Sequence, residues 1–352
     1  MRRINPQNQA PTGVSTHPDP RREALVTWLH GLGFEVASET LRPLAGDASF
    51  RRYFRLTTGG NTQVVLDAPP PREDVGPFVA IAHALENLGL RPPKILAQDP
   101  DRGFLLLEDL GDVSYFAALR GGDVDDARAD ALYGAATASL IRLQLAGDPK
   151  TALLPPYDAQ RLLGEMALFD AWFLTRHLQR PPSPGETLGL GATYQYLLDN
   201  ARAQPQVWVH RDYHSRNLMV VDHDPQGRPG VLDFQDAVVG PVTYDLVSLF
   251  KDSYIPWPRE RVEAWVLGHW RQLRRAGLSG LGDGATFLRW FDLMGLQRHL
   301  KVLGIFCRLY HRDGKPRYLQ DLPTTLDYAR QVSHRYPALG ELAALLDAVE
   351  LP

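Results

Sequence analysis

The sequence predicts an α+β fold in two lobes, a small strand-rich lobe over residues 19–108 and a larger, mostly helical lobe over 109–352. Three observations carry this. Strand-like runs separated by turn residues dominate the first hundred positions, helical apolar spacing dominates beyond about residue 112, and a strand-and-turn segment at 205–235 interrupts the helical part.

In chain order, residues 1–18 read as a disordered tail, being polar and rich in Pro and Asn. Asp19-Pro20 then opens a helix by cap and first-turn preference, and Ala24, Leu25, Trp28, Leu29 and Leu32 recur at helical spacing until Gly33 stops it. From Leu44 to Leu56 small residues give way to an alternating strand pattern, an order in which a turn can lay backbone N–H groups over phosphates. Val64-Val65-Leu66 is a further strand, broken by Ala68-Pro69-Pro70-Pro71. Phe78, Ile81, Ala82, Leu85 and Leu88 then show helical period up to Gly89, and Gly103 to Gly111 is a buried strand running into a turn, the natural crossing between lobes. A Pro/Gly-rich stretch at 181–191 is expected to interrupt the helices of the second lobe.

At 352 residues and 44% apolar, the chain is long enough for a bilobal core. Its formal net charge of -3 gives no general reason to expect nucleic acid or an anionic membrane as partner, and a monomer is expected. Cys307 is the only cysteine, which rules out an intramolecular disulfide and points to a reducing compartment, the cytoplasm. The first twenty residues lack an apolar h-region and no later run approaches eighteen apolar residues, so neither export nor a membrane span is expected.

His210-Arg211-Asp212-Tyr213-His214-Ser215-Arg216-Asn217 is followed, after one predicted hairpin, by Leu232-Asp233-Phe234. This is H-x-D-x-x-x-x-N and then D-F, the spacing at which kinase-like enzymes place a catalytic aspartate and two magnesium ligands around ATP. Asn217 offers an amide oxygen and Asp233 a carboxylate, hard donors suited to Mg²⁺. Asp212 is left to orient the acceptor hydroxyl or take its proton, and His210 to fix the loop by hydrogen bonding. Val207-Trp208-Val209 and Leu218 to Val221 read as strands flanking this loop, and Gly230-Val231-Leu232 as the strand that delivers Asp233. No G-x-x-x-x-G-K-[ST] occurs, which disfavours the P-loop class.

With Leu106-Leu107-Glu108-Asp109-Leu110-Gly111, the HxD loop and Leu232-Asp233-Phe234 in that order, the chain resembles the aminoglycoside phosphotransferase superfamily, which is built like a protein kinase. Within it, His210 to Val220, Val231 to Leu249 and Gln297 to Phe306 are most similar to the bacterial anomeric kinases for N-acetylmuramate and N-acetylglucosamine, which make the sugar 1-phosphate for peptidoglycan recycling. The resemblance covers about residues 25–330. It implies Asp212 as catalytic base, Asn217 and Asp233 as Mg²⁺ ligands, and a phosphate-covering loop that includes Gly46, Asp47, Ser49, Phe50, Arg51 and Arg52. It further implies that Glu108 and Leu110 present main-chain groups to the adenine of ATP, and that Asp245 braces the catalytic loop.

One departure stands out: Gln63-Val64-Val65-Leu66-Asp67 lacks the lysine that kinase-like enzymes place on this strand against the phosphates. Arg51 and Arg52 are the nearest replacement candidates, and the absence keeps a nucleotide-binding pseudokinase open. A metal-dependent hydrolase using His210, Asp212, His214, His223 and Asp233 is a further alternative, but it leaves the 103–111 crossing without a role.

The acceptor is read from charge. Arg298, Lys301, Arg308, Arg312, Lys315 and Arg317, with His299 and His311, face a single acid, Asp313, within one stretch. That suits an anionic amino sugar through arginine hydrogen bonds better than a polycationic aminoglycoside. His214 and Arg216 in the catalytic loop, Glu165 and Arg308 are the acceptor-site candidates. Choline and homoserine share the same core chemistry and remain open.

Overall fold

The structure, a computed structural model, describes residues 19–37, 39–44, 50–120 and 126–351. The predicted tail and the small residues Gly46, Asp47 and Ser49 of the expected phosphate loop lie outside them. Asp19 caps helix α1 (Pro20–Gly31), its carboxylate accepting the Arg22 N–H at 3.1 Å, a bond of the kind that contributes about 1 kcal/mol.

A five-stranded antiparallel sheet follows, β1 (Leu41–Pro43), β2 (Arg52–Thr58), β3 (Asn61–Asp67), β4 (Ile95–Asp99) and β5 (Phe104–Glu108), with helix α2 (Gly76–Asn87) inserted after β3. Its order is β1-β2-β3-β5-β4. The two-residue period of β2 sends Phe54 and Leu56 against α1, where they join Leu25, Trp28, Leu29, Val65 and Leu106, and turns Tyr53 and Arg55 to the opposite face. On that opposite face Leu66, Leu105 and Leu107 share a core with Phe78, Ile81, Ala82 and Leu85 of α2. β4 has no counterpart in the sequence reading, because it is an edge strand with a bulge at Ile95/Ala97 and its Leu96 is 53% exposed. Gly103, at φ +73°, admits the Ala68 carbonyl to within 1.9 Å of where a Cβ would stand, so no side chain fits there.

Beyond the sheet come α3 (Tyr115–Arg120), α4 (Asp126–Ala146), α5 (Ala159–Leu168), which continues as wider i→i+5 turns over Phe169–His177, and α6 (Pro184–Arg202). The 181–191 stretch interrupts the helices only as far as Ser183. Ser183 and Glu186 form a capping box around Pro184, so Gly185, Gly189 and Gly191 lie inside α6. Four short strands then carry the catalytic segment, β6 (Gln206–Val209), β7 (Leu218–Met219), β8 (Gly230–Val231) and β9 (Val238–Pro241). β7 and β8 form the predicted hairpin, with Leu218 opposite Val231, whereas β6 pairs with β9, a strand that was not foreseen.

Helices α7 (Tyr244–Phe250), α8 (Arg259–Arg275), α9 (Gly284–Asp313), α10 (Leu322–Arg335) and α11 (Gly340–Asp347) complete the chain, with a tight helical turn at Pro316–Asp321 between α9 and α10. α9 is the spine of the helical part. Its Gly304 lets Leu168 approach so closely that a Cβ would sit 2.4 Å from the Leu168 carbonyl. Among the described residues no helix is long and apolar enough to cross a membrane.

Candidate active site

The loop between β6 and β7 is held from below by two buried aspartates. Asp245, at the start of α7, accepts the N–H groups of His210 at 2.7 Å and Arg211 at 2.9 Å, the bracing role expected of it. Asp252, just past α7, accepts the N–H and hydroxyl of Ser215 and the N–H of Tyr254. Burial pushes the Asp245 carboxyl up to about 7 and that of Asp252 to about 6, while these donors pull both back down. Asp252 escaped the sequence reading because nothing in Lys251-Asp252-Ser253 marks it as a loop anchor. Arg211, at φ +78°, and Asp233, at φ +61°, stand in the left-handed region, a conformation costing of order 1–3 kcal/mol that surrounding contacts must hold.

His210 is buried and positions the loop, its Nδ1 accepting the Asp212 N–H at 3.2 Å; burial lowers its pKa to about 4, so it is neutral. Asn217 donates from its amide Nδ2 to the Asp212 carbonyl at 3.0 Å and to Asp233 at 3.3 Å, which leaves its Oδ1 available as an oxygen ligand. Gln235 Nε2 holds the other Asp233 oxygen at 2.7 Å. Phe234 packs against Phe78 of α2 with ring centroids 4.7 Å apart and planes tilted by 39°, so the helix over the sheet supports the backbone that presents Asp233. No group of three or more His, Cys, Asp or Glu side chains among the described residues is arranged to hold a metal, the arrangement a binuclear hydrolase needs.

Asp212 opens into the cleft and is surrounded by cations. Arg298 of α9 donates to its Oδ1 at 3.3 Å and to the Arg211 carbonyl at 2.8 Å. Lys301, one turn on, reaches Glu165 at 3.2 Å and the Tyr244 hydroxyl at 3.1 Å. Glu165 of α5 also accepts from Arg211 and the Tyr157 hydroxyl. Three cations thus meet two carboxylates in one network, partly buried and open to the cleft at Asp212. Burial would raise the Asp212 pKa, but Arg298, Lys301, His214 and Arg211 together hold it well below the usual carboxylate range. Glu165 is accordingly not an exposed helical glutamate; its carboxylate is engaged by three protein donors.

These groups line a cleft of about 1000 Å³ between the sheet and the helices. On the sheet side it is walled by Tyr53, Arg55, Val64 and Leu107 and edged by Glu108 and Leu110. The lysine-less strand directs Leu66 into the core shared with α2, and the only acid of α2, Glu86, is exposed. Arg51 and Arg52 do not replace the lysine. Arg51 pairs with Glu73 at 3.0 Å, and the strand alternation turns Arg52 away from the cleft to Asp67 and Asp19, each at 2.5 Å. Phe50 is 59% exposed, beneath the Arg72 guanidinium. The cleft-facing cation of β2 is Arg55, which the sequence reading passed over, and it is tied to Asp109 at 2.7 Å and to Asp112. The Glu108 side chain accepts from Arg91 at 2.9 Å, and its N–H donates to the Lys94 carbonyl at 2.8 Å.

At the far end His214, Arg216 and Arg308 all line the cleft. The Arg216 guanidinium lies 3.4 Å above the Tyr254 ring and 3.6 Å from Asp321. Burial lowers the His214 pKa to about 3, leaving it neutral, with its Nδ1 buried and unbonded. The basic stretch of α9 therefore divides: Arg298 and Lys301 serve the catalytic loop, His299 stacks on Tyr328, and Arg312 pairs with Asp313 at 2.7 Å.

A sequence profile of the phosphotransferase enzyme family matches residues 40–283. The chain is 46% identical over 312 residues to the N-acetylmuramate/N-acetylglucosamine kinase of Pseudomonas putida, covering 89% of each protein, and 43% identical to the enzyme of the same name from Neisseria meningitidis, covering 86% of this chain and 88% of that one. The ADP-bound aminoglycoside phosphotransferase APH(2'')-Ib superposes with a TM-score of 0.58 at 17% identity, over 88% of this chain and 99% of that one, a likeness of fold. Together with the catalytic loop, the hairpin and the kinase-like cleft, these matches establish that the chain belongs to the phosphotransferase enzyme family.

Proposed function

We propose that this chain transfers the γ-phosphoryl group of ATP to the anomeric hydroxyl of N-acetylmuramate and N-acetylglucosamine, giving the sugar 1-phosphate for cell-wall recycling. The observation that carries the reading is the 46% identity, over 89% of both chains, with a kinase named for these two sugars. A cytosolic monomer of two lobes, divided near residue 108, is part of the same reading.

Asp212 orients the acceptor hydroxyl in line with the γ-phosphorus. Because Arg298 and Lys301 keep it ionised, it accepts a hydrogen bond from the hydroxyl throughout and takes the proton late, as bond formation acidifies it. Asn217 and Asp233, side by side through the Asn217 Nδ2 bond to the Asp233 carboxylate, offer an amide oxygen and a carboxylate, hard ligands that would hold Mg²⁺ beside phosphate and water. When bound, Mg²⁺ neutralises charge on the phosphate oxygens. The Glu108 carbonyl and Leu110 N–H address adenine, main-chain N–H groups between Gly46 and Arg52 cover the phosphates, and His214 and Arg216 contact the sugar.

An ADP-release assay with each amino sugar, an aminoglycoside and choline tests this. Turnover of the two amino sugars alone is expected; turnover confined to the cationic acceptors contradicts it. A pseudokinase is the second reading, favoured by the absence of a lysine from β3, and ATP binding without ADP release from any acceptor would favour it.

A further inference from the structure

We infer that Arg308 of α9, seconded by Arg317, forms an anion subsite that takes the carboxylate of the acceptor and so sets the preference for N-acetylmuramate over N-acetylglucosamine; this rests on the amino-sugar reading above. Lys301, Ile305 and Arg308 stand at i, i+4 and i+7 on the cleft face of α9. Arg308 therefore lies two turns, about 10 Å along the helix, beyond Lys301 and about 15 Å beyond Arg298, which bonds Asp212. A pyranose with its anomeric oxygen at Asp212 and its ring along α9 turns its C3–C4 edge towards Arg308. In N-acetylmuramate C3 carries the lactyl ether with its carboxylate; in N-acetylglucosamine it carries a hydroxyl.

The electrostatics single out this arginine. Arg308 is half-buried, its Nε is buried without a hydrogen-bond partner, and among the described residues it makes no ion pair. Its one nearby acid, Asp313, is bound by Arg312 through two bonds of 2.7 and 2.9 Å. A guanidinium held in a cavity wall without its anion lacks the partner that normally offsets its desolvation. The left-handed Gly314, at φ +64°, ends α9 and folds the chain back so that Arg317 lines the same cleft. Between them and Asp212 runs an aromatic floor, Tyr254, Phe306 and Tyr318, with centroids 6.3 and 5.5 Å apart, suited to the C–H face of a sugar ring.

The test is Arg308→Met, which keeps the length and removes the charge. The ratio of kcat/KM for N-acetylmuramate to that for N-acetylglucosamine should fall about 10- to 100-fold, the equivalent of one charge-assisted hydrogen-bonded pair. Arg317→Met should lower it less. Calorimetry of N-acetylmuramate binding gives a readout independent of turnover, and weaker binding by Arg308→Met is expected, along with a wild-type affinity that declines with added salt. Parallel loss with both sugars, an unchanged ratio, or equal N-acetylmuramate binding by wild type and variant overturns the subsite. A wild type that phosphorylates neither sugar refutes the amino-sugar reading instead, and the subsite is then decided by calorimetry alone.

Discussion

The two walls of the cleft treat their cations in opposite ways. On the sheet side Arg55, which lines the cleft, meets the carboxylate of Asp109, and Arg51, Arg52 and Arg91, which do not line it, meet those of Glu73, Asp67 and Glu108. On the helical side the acids are outnumbered around Asp212, and among the described residues Arg308 pairs with none. The sheet wall is electrostatically closed and uses its charges to fix its own shape, while the helical wall keeps positive charge in reserve for what enters the cleft. A nucleotide site that depends on main chain and metal, facing an acceptor site that depends on side-chain cations, follows from that difference.

The comparison is most sharply tested where the walls meet. Asp212→Asn should lower kcat by about 10²- to 10⁴-fold while leaving ATP binding nearly intact, as read by steady-state kinetics and nucleotide titration. A variant with wild-type kcat removes Asp212 from the mechanism. Asp233→Ala and Asn217→Ala should raise the Mg²⁺ concentration needed for half-maximal rate, a dependence that wild-type behaviour in the variants would exclude.

A lysine placed on β3, two residues from the cleft-lining Val64, probes whether the sheet wall is closed. Leu66→Lys buries an ammonium in an apolar core with no acid of α2 turned towards it, so a loss of several kcal/mol on denaturation, or failure to fold, is expected without any gain in ATP affinity. Tighter ATP binding with unchanged stability would mean that the site lacks only its lysine.

On the helical wall, Arg298→Met should raise the Asp212 pKa, because burial then acts with less opposition. The acid limb of kcat/KM should therefore move towards neutral pH. The same depressed pKa stabilises the fold above the unfolded value near 3.8, and that contribution is lost as pH falls through the lower folded value, so wild type and variant should converge in stability at acid pH. The smallest effect belongs to Arg55→Ala, whose partly exposed pairs are worth roughly 1 kcal/mol and whose loss should raise KM for ATP only a few-fold.

What was legible in the sequence was what short-range chemistry encodes. The cap at Asp19 and the hairpin that joins Asn217 to Asp233 each follow from residues whose spacing determines a local geometry, whereas the brace from Asp245, 35 residues from His210, was legible only through the family resemblance. The position of Arg52 was misjudged because strand parity, not proximity, decides which face an arginine serves; its neighbour-but-two, Arg55, has the parity that faces the cleft. The division of labour along α9 could not be read from a run of basic residues, since only the packed helix shows Arg298 and Lys301 turned to the catalytic loop and Arg312 to Asp313. Asp252 and β9 were missed because their partners lie 37 and 29–35 residues away.

Phosphorus NMR of the protein with ATP, Mg²⁺ and N-acetylmuramate tests the central claim most directly. The account predicts a new phosphomonoester resonance coupled to the anomeric proton of the sugar. A resonance coupled instead to the C6 methylene protons, or an ATP spectrum that does not change, would contradict it.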